Sequence, residues 1–100
     1  MSYKFVYRPL VKRDLENAKN YYKDISPNLA KDFLLRIREA KKYISLNIEG
    51  DDVVYNTIRM HKLYQFPYHI HYFIDYKKSQ IILLAVEFSK RNNLDFSKRK

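Results

Sequence analysis

The chain has no cysteine, no tryptophan, three prolines and a single glycine, Gly50. Without cysteine there are no disulfides, no thiolate metal sites and no cysteine nucleophile. With one glycine there is no glycine-rich loop to cradle phosphates, and neither a Ser or Thr nucleophile motif nor a pair of carboxylates at catalytic spacing is present. No apolar run approaches the ~18 residues that a membrane span needs, and Met1-Ser2-Tyr3-Lys4 begins no apolar signal region. A soluble, cytoplasmic protein without a membrane partner is therefore expected. Acid is scarce as well: eleven Asp and Glu stand against twenty Lys and Arg, for a net charge of +9. That excess draws in phosphate backbones or an acidic protein and speeds encounter with either.

Apolar residues are nonetheless plentiful. Hydrophobic residues make up 46% of the 100 positions and sixteen are aromatic, which suits a folded chain rather than a disordered one. This length makes one domain, residues 1–100, that buries about two-thirds of its unfolded surface.

Tyr3, Phe5 and Tyr7 alternate with Lys4 and Val6, the period of a strand, which Arg8-Pro9 ends at a sheet edge. From Leu10 to Lys23, Val11, Leu15, Ala18 and Tyr22 recur at helical spacing, with Lys12, Arg13, Glu16 and Lys19 opposite. Ser26-Pro27 reads as a restart, a cap followed by proline at the first helical position. Ala30, Phe33, Leu34, Ile37, Ala40 and Ile44 form the apolar stripe of a second helix. So short a connector folds the two helices into a hairpin. Asn47 to Asp52 is the loop into a sheet.

The sheet carries the chemistry. Val54 to Leu63 reads as one strand bearing Arg59 and His61, and Tyr68 to Tyr76 as the next, with His69 and His71 alternating against Ile70 and Tyr72. If the hairpin between them keeps like parities together, Arg59, His61, His69 and His71 emerge on one face. Ile81 to Val86 is apolar on both faces, as in a central strand covered on both sides. Residues 89–100, with Lys90, Arg91, Lys98, Arg99 and Lys100 against Asp95, read as a basic tail.

His69-x-His71 with His61 is a candidate metal set, but neither cysteine nor an evident carboxylate supports it, and no cofactor is expected. The same imidazoles suit proton transfer at neutral pH, or simply line a polar strand. Arg59, Lys62, Lys90 and Arg91 could clamp phosphates, with Phe88 and Phe96 to stack on bases; solvated charge and core aromatics are the alternative.

The order strand, helical hairpin, then three strands with Arg59, Phe66-Pro67-Tyr68-x-Ile70-x-Tyr72 and Ala85-Val86-x-x-x-x-Arg91-Asn92 resembles the RelE/ParE toxin superfamily, and in particular its ParE-like plasmid-stabilisation branch. The likeness runs over nearly the whole chain. It implies an α+β fold: a two-helix hairpin on a four-stranded, mainly antiparallel sheet in the order β-α-α-β-β-β. It also implies the toxin of a type II toxin-antitoxin pair, held by a cognate antitoxin. RelE-type members cleave messenger RNA in the ribosome, whereas ParE-type members poison DNA gyrase and are not nucleases.

Carried over residue by residue, His69 stands where RelE-type nucleases have an arginine, Arg91 matches the arginine after the last strand, and Phe96 lies near the terminal Tyr or Trp. Two departures bear on activity. Phe88 stands where many relatives have His, and Phe96 lacks a hydroxyl. Cleavage by 2′-hydroxyl attack needs a base, charge stabilisation and a leaving-group acid, which leaves His69, His71 and Glu87 as proton carriers. The ParE-like reading is therefore preferred, with Arg59, Lys62, Lys90, Arg91 and Phe96 as target-binding residues. A nuclease with His69, His71 and Arg91 as its catalytic residues, and Arg59 and Lys62 assisting, is the alternative. A degenerate member kept for partner binding is a third.

Overall fold

Spacing of apolar side chains sets the two helices. The computed structural model describes residues 3–89, and in it α1 (Pro9–Ile25) buries Val11, Ala18 and Tyr22 while α2 (Pro27–Leu46) buries Ala30, Phe33, Ile37, Ala40 and Ile44. Leu34, expected in the stripe, is exposed instead, because it lies off the line of the other five. The restart between the helices is built as its residues require. Ser26 is extended, its hydroxyl accepts from the Asn28 N–H at 3.2 Å, and Pro27 follows where no N–H is needed. Ser26 N–H in turn donates to the Tyr22 carbonyl, closing α1.

The sheet holds five strands among the described residues: β1 (Lys4–Tyr7), β2 (Val53–Tyr55), β3 (Ile58–Lys62), β4 (Tyr68–Asp75) and β5 (Gln80–Phe88), in the order β1-β5-β4-β3-β2. Only β1 and β5 run parallel; the other three pairs are antiparallel. The two-helix, mainly antiparallel α+β architecture is the expected one, with one strand more. Residues 54–63 are not a single strand, because Asn56 takes a left-handed φ of 51° and folds the chain so that Tyr55 pairs with Ile58 and Val53 with Arg59. Asparagine tolerates that conformation better than most side chains.

The central apolar run sits as expected. β5 lies between β1 and β4, and Ile81 to Val86 are all buried. On one face Ile70, Tyr72, Ile81, Leu83 and Val86 pack against Val11, Ala18, Phe33, Ile37 and Ile44 of the helices. Phe33 is fully buried and meets the rings of Tyr22, Phe66 and Tyr68 at 5.4–5.6 Å, the last two edge-on, a geometry that adds to area burial. Ile58, Ile82 and Leu84 form a smaller cluster on the other face, with Val6 and Phe73 beside it. A bulge makes this division work. The β4–β5 register shifts between His71↔Ala85 and Tyr72↔Leu83, so Leu84 is the extra residue, and Val86 and Leu83 reach the helix side despite their odd spacing.

Gly50 serves a close approach. A Cβ there would lie 2.9 Å from both Asn47 Cβ and the Tyr43 hydroxyl, while its N–H donates to the Asn47 carbonyl at 2.8 Å. The loop after α2 is thereby folded back on the end of that helix. Among the described residues no helix is long and apolar enough to cross a membrane. The tail positions Lys90, Arg91, Phe96, Lys98, Arg99 and Lys100 lie outside the described residues.

Candidate functional site

Register divides the residues that the sequence had grouped. β3 and β4 pair as Arg59↔Tyr72, Met60↔His71, His61↔Ile70 and Lys62↔His69, so odd positions on β3 oppose even positions on β4, and directly opposed residues share a face. Arg59 and His61 stand on the helix face with Tyr72 and Ile70. His69 and His71 stand on the other face with Lys62 and Met60. The expectation that both pairs emerge together is thus corrected, and its cause is the connector at 63–67, closed by the Leu63 N–H donating to the Tyr68 carbonyl at 2.9 Å.

On the helix-free face His69 lies across from Lys62 on β3 and from Glu87 on β5. Burial lowers the His69 pKa from its ordinary 6.5, and the Lys62 ammonium lowers it further. The imidazole is therefore neutral at pH 7 and able to accept a proton. His71, 6.2 Å from His69 between ring centroids, is 5% exposed, and its Nε2 is 3.2 Å from Glu87 Oε2. Both partners of this pair are nearly buried, which suits holding β4 to β5 better than meeting a ligand. Phe88 packs edge-on against Tyr68 at 5.5 Å.

On the helix face Arg59 and His61 fasten the loop before β2. The Arg59 guanidinium donates to the Asp51 carbonyl, with the Glu49 carbonyl at 3.5 Å. The Asp51 carboxylate receives the Tyr72 hydroxyl at 2.8 Å and His61 Nδ1 at 3.0 Å, and the Tyr76 hydroxyl donates to Glu49 at 2.7 Å. Tyr72 is fully buried. Its pKa is pushed far above the usual tyrosine value, first by burial and then by the bond to Asp51, so the hydroxyl stays a donor at all physiological pH.

Of the residues singled out from the sequence, the structure brings Lys62, His69 and His71 to one face and sets Arg59 on the other, while Lys90, Arg91 and Phe96 lie outside the described residues. Among the described residues no group of three or more His, Asp and Glu could hold a metal ion, and His61 is separated from His69 and His71 by the thickness of the sheet. Two residues that pattern reading passed over matter locally. Asp51 is the hub just described, and Asp14 of α1 accepts from the Val86 N–H at 3.1 Å, tying α1 to β5 beside the bulge. A buried tyrosine on an interior strand signals that some acceptor must reach it; the sequence does not say which loop supplies it.

No protein-family model matches the sequence, and no curated protein matches it either. A solved structure does: a chain of the "Chromosomal ParDE TA system from P. aeruginosa" superposes with a TM-score of 0.74, covering 88% of this chain and 97% of that one at 16% identity. The chain has the RelE/ParE fold. The resemblance read from the order of strands, hairpin and Phe66-Pro67-Tyr68 phrase is met at the level of the fold. Within the RelE/ParE fold, β1 closes one edge of the sheet beside β5 and the β2–β3 hairpin closes the other.

Proposed function

We propose that the protein is the ParE-like toxin of a type II toxin-antitoxin pair, which inhibits growth in bacterial cytoplasm and is neutralised by a cognate antitoxin. One observation carries this reading: the fold of a ParDE-system chain extends over 88% of the described and undescribed residues together, and over nearly all of that chain. The net charge of +9 accords with it, since a basic toxin suits an acidic antitoxin segment that folds on binding.

Between the two targets weighed, DNA gyrase is favoured over messenger RNA in the ribosome. A nuclease of the RelE type would draw on Arg59, Lys62, His69, His71 and Arg91. Arg59 is spent on loop carbonyls behind the sheet, and His71 is enclosed beside Glu87. Of that set, Lys62 and His69 remain among the described residues, a cation and a base facing each other across β3 and β4, and neither is a guanidinium of the kind that would meet a developing phosphorane charge there. Phe88 at the position of the usual histidine adds to the case.

Co-expression with the product of the adjacent reading frame, followed by purification on one tag, tests the pairing. A tight complex whose association slows with salt is expected. If the chain purifies alone and leaves growth unaffected with or without its neighbour, a degenerate binding module is the better account.

A further inference from the structure

The helices do not close fully on the sheet. Between them and strands β1, β4 and β5 lies a cavity of about 200 Å³, walled by Leu15 and Ile37 from the helices and by Ile70, Leu83 and Val86 from the sheet, with Tyr7 at the β1 edge. Ile37, Ile70, Leu83 and Val86 are each 8% exposed or less, so the walls are core side chains rather than open surface. A dry apolar cavity of ~150 Å³ already takes up a benzene-sized guest, and a cavity left unfilled in a core lowers stability.

Two further residues border this cavity, and both are lysines, Lys12 and Lys41. Lys12 is three residues before Leu15 on α1 and Lys41 four residues after Ile37 on α2, spacings that set each lysine beside a wall residue of its own helix. The hairpin brings them level. Lys12 lies thirteen residues before α1 ends at Ile25, and Lys41 fourteen residues after α2 begins at Pro27, so at ~1.5 Å per residue they sit at the same height. The Lys41 ammonium is also placed: it lies 5.0 Å from the Tyr7 ring centroid and 5.3 Å from that of Phe5. It thus stands at the β1 end of the cavity, with N–H groups left for an anion. Lys12 is exposed. Among the described residues no carboxylate lines the cavity, and neither lysine forms an ion pair.

We propose that this cavity binds a short aliphatic carboxylate, its chain among Leu15, Ile37 and Leu83 and its head group between Lys12 and Lys41. Branched aliphatic walls match an alkyl chain, which gains in proportion to the area taken out of water. The lysine stems extend those walls to the mouth while the ammoniums stay in solvent, where a single negative charge meets them. The site lies on the helix side of the sheet, away from His69 and Lys62, and does not depend on the toxin reading.

The test is methyl-resolved NMR of the whole chain at neutral pH and fixed ionic strength, titrated separately with butanoate, hexanoate, 1-hexanol and N-acetyl-leucinamide. Hexanoate should shift the methyl signals of Leu15, Ile37, Ile70, Leu83 and Val86 saturably. It should bind about tenfold more tightly than butanoate, because each added methylene contributes about threefold to fourfold. Lys12→Gln and Lys41→Gln, both away from the cavity floor, should each weaken hexanoate about two- to fivefold and leave the weaker binding of 1-hexanol unchanged. Absence of saturable methyl shifts with hexanoate overturns the assignment. So does 1-hexanol binding as tightly as hexanoate, or hexanoate indifferent to both glutamine variants, since the cavity would then be blind to charge. N-acetyl-leucinamide binding more tightly than hexanoate overturns it in favour of a seat for a protein side chain.

Discussion

The hydroxyl of Tyr72, in the middle of β4, donates at 2.8 Å to the carboxylate of Asp51 in the loop before β2. A fully buried phenol is thereby satisfied, and a loop that would otherwise swing is fixed to the sheet. The same carboxylate holds His61, and Arg59 holds the carbonyl of the same residue. One loop residue thus gathers three strand side chains.

Asp51→Ala should therefore destabilise the chain by about 1–3 kcal/mol, the cost of leaving a buried donor without a partner. Tyr72→Phe should cost less, about 1 kcal/mol, because Asp51 keeps His61 and loses only one of its bonds. Urea unfolding of both variants checks the order, and an equal or reversed pair would show that the hub does not hold the loop.

Arg59 is expected to act on stability and not on binding. Arg59→Ala removes a charged donor from loop carbonyls, a loss of about 1.5–3 kcal/mol, whereas Lys62→Ala on the exposed end of β3 should change stability by less than about 0.5 kcal/mol. Thermal unfolding distinguishes them. If Arg59→Ala keeps full stability yet loses toxicity, Arg59 is a contact to the target after all.

His69 should titrate below 6.5, and Lys62→Met should bring its midpoint up by removing the smaller of the two causes. Because the folded state holds this proton less tightly than the unfolded chain does, the site contributes its full stability above the unfolded pKa and loses it as pH falls through the folded one. His69→Gln should flatten that acid-side decline. NMR titration of the imidazole and urea midpoints at several pH values check both statements.

Gly50→Ala should disturb the loop rather than the core. The added carbon would press on Asn47 Cβ and the Tyr43 hydroxyl, and Tyr43 is the ring that packs on His61. Faster amide exchange confined to residues 47–61, with the helices unchanged, is the expected signature.

Much of the fold is legible in local chemistry. Ser26-Pro27 announces a helix start, the Val11 to Tyr22 spacing announces a buried face, and Ile81 to Val86 announces a covered strand. The site is less legible for two physical reasons. Which face Arg59 and His69 occupy depends on whether the connector at 63–67 joins like or unlike parities, and a one-residue change reverses the answer; the left-handed Gln65 that shapes this turn has no glycine or asparagine to betray it. The break at Asn56 is hidden likewise, since Asn56-Thr57 lacks the glycine that marks most two-residue hairpins. Asp51 escaped notice because its partners are eight to twenty-one residues away on strands whose register was not yet known.

The most direct measurement follows DNA and messenger RNA synthesis together after the chain is induced alone. Labelled thymidine incorporation should fall before any shortening of messenger RNA, and co-expression of the neighbouring gene product should restore it. Primer extension that finds early cuts within translated codons while DNA synthesis continues would contradict the account and make the protein a ribosome-dependent nuclease.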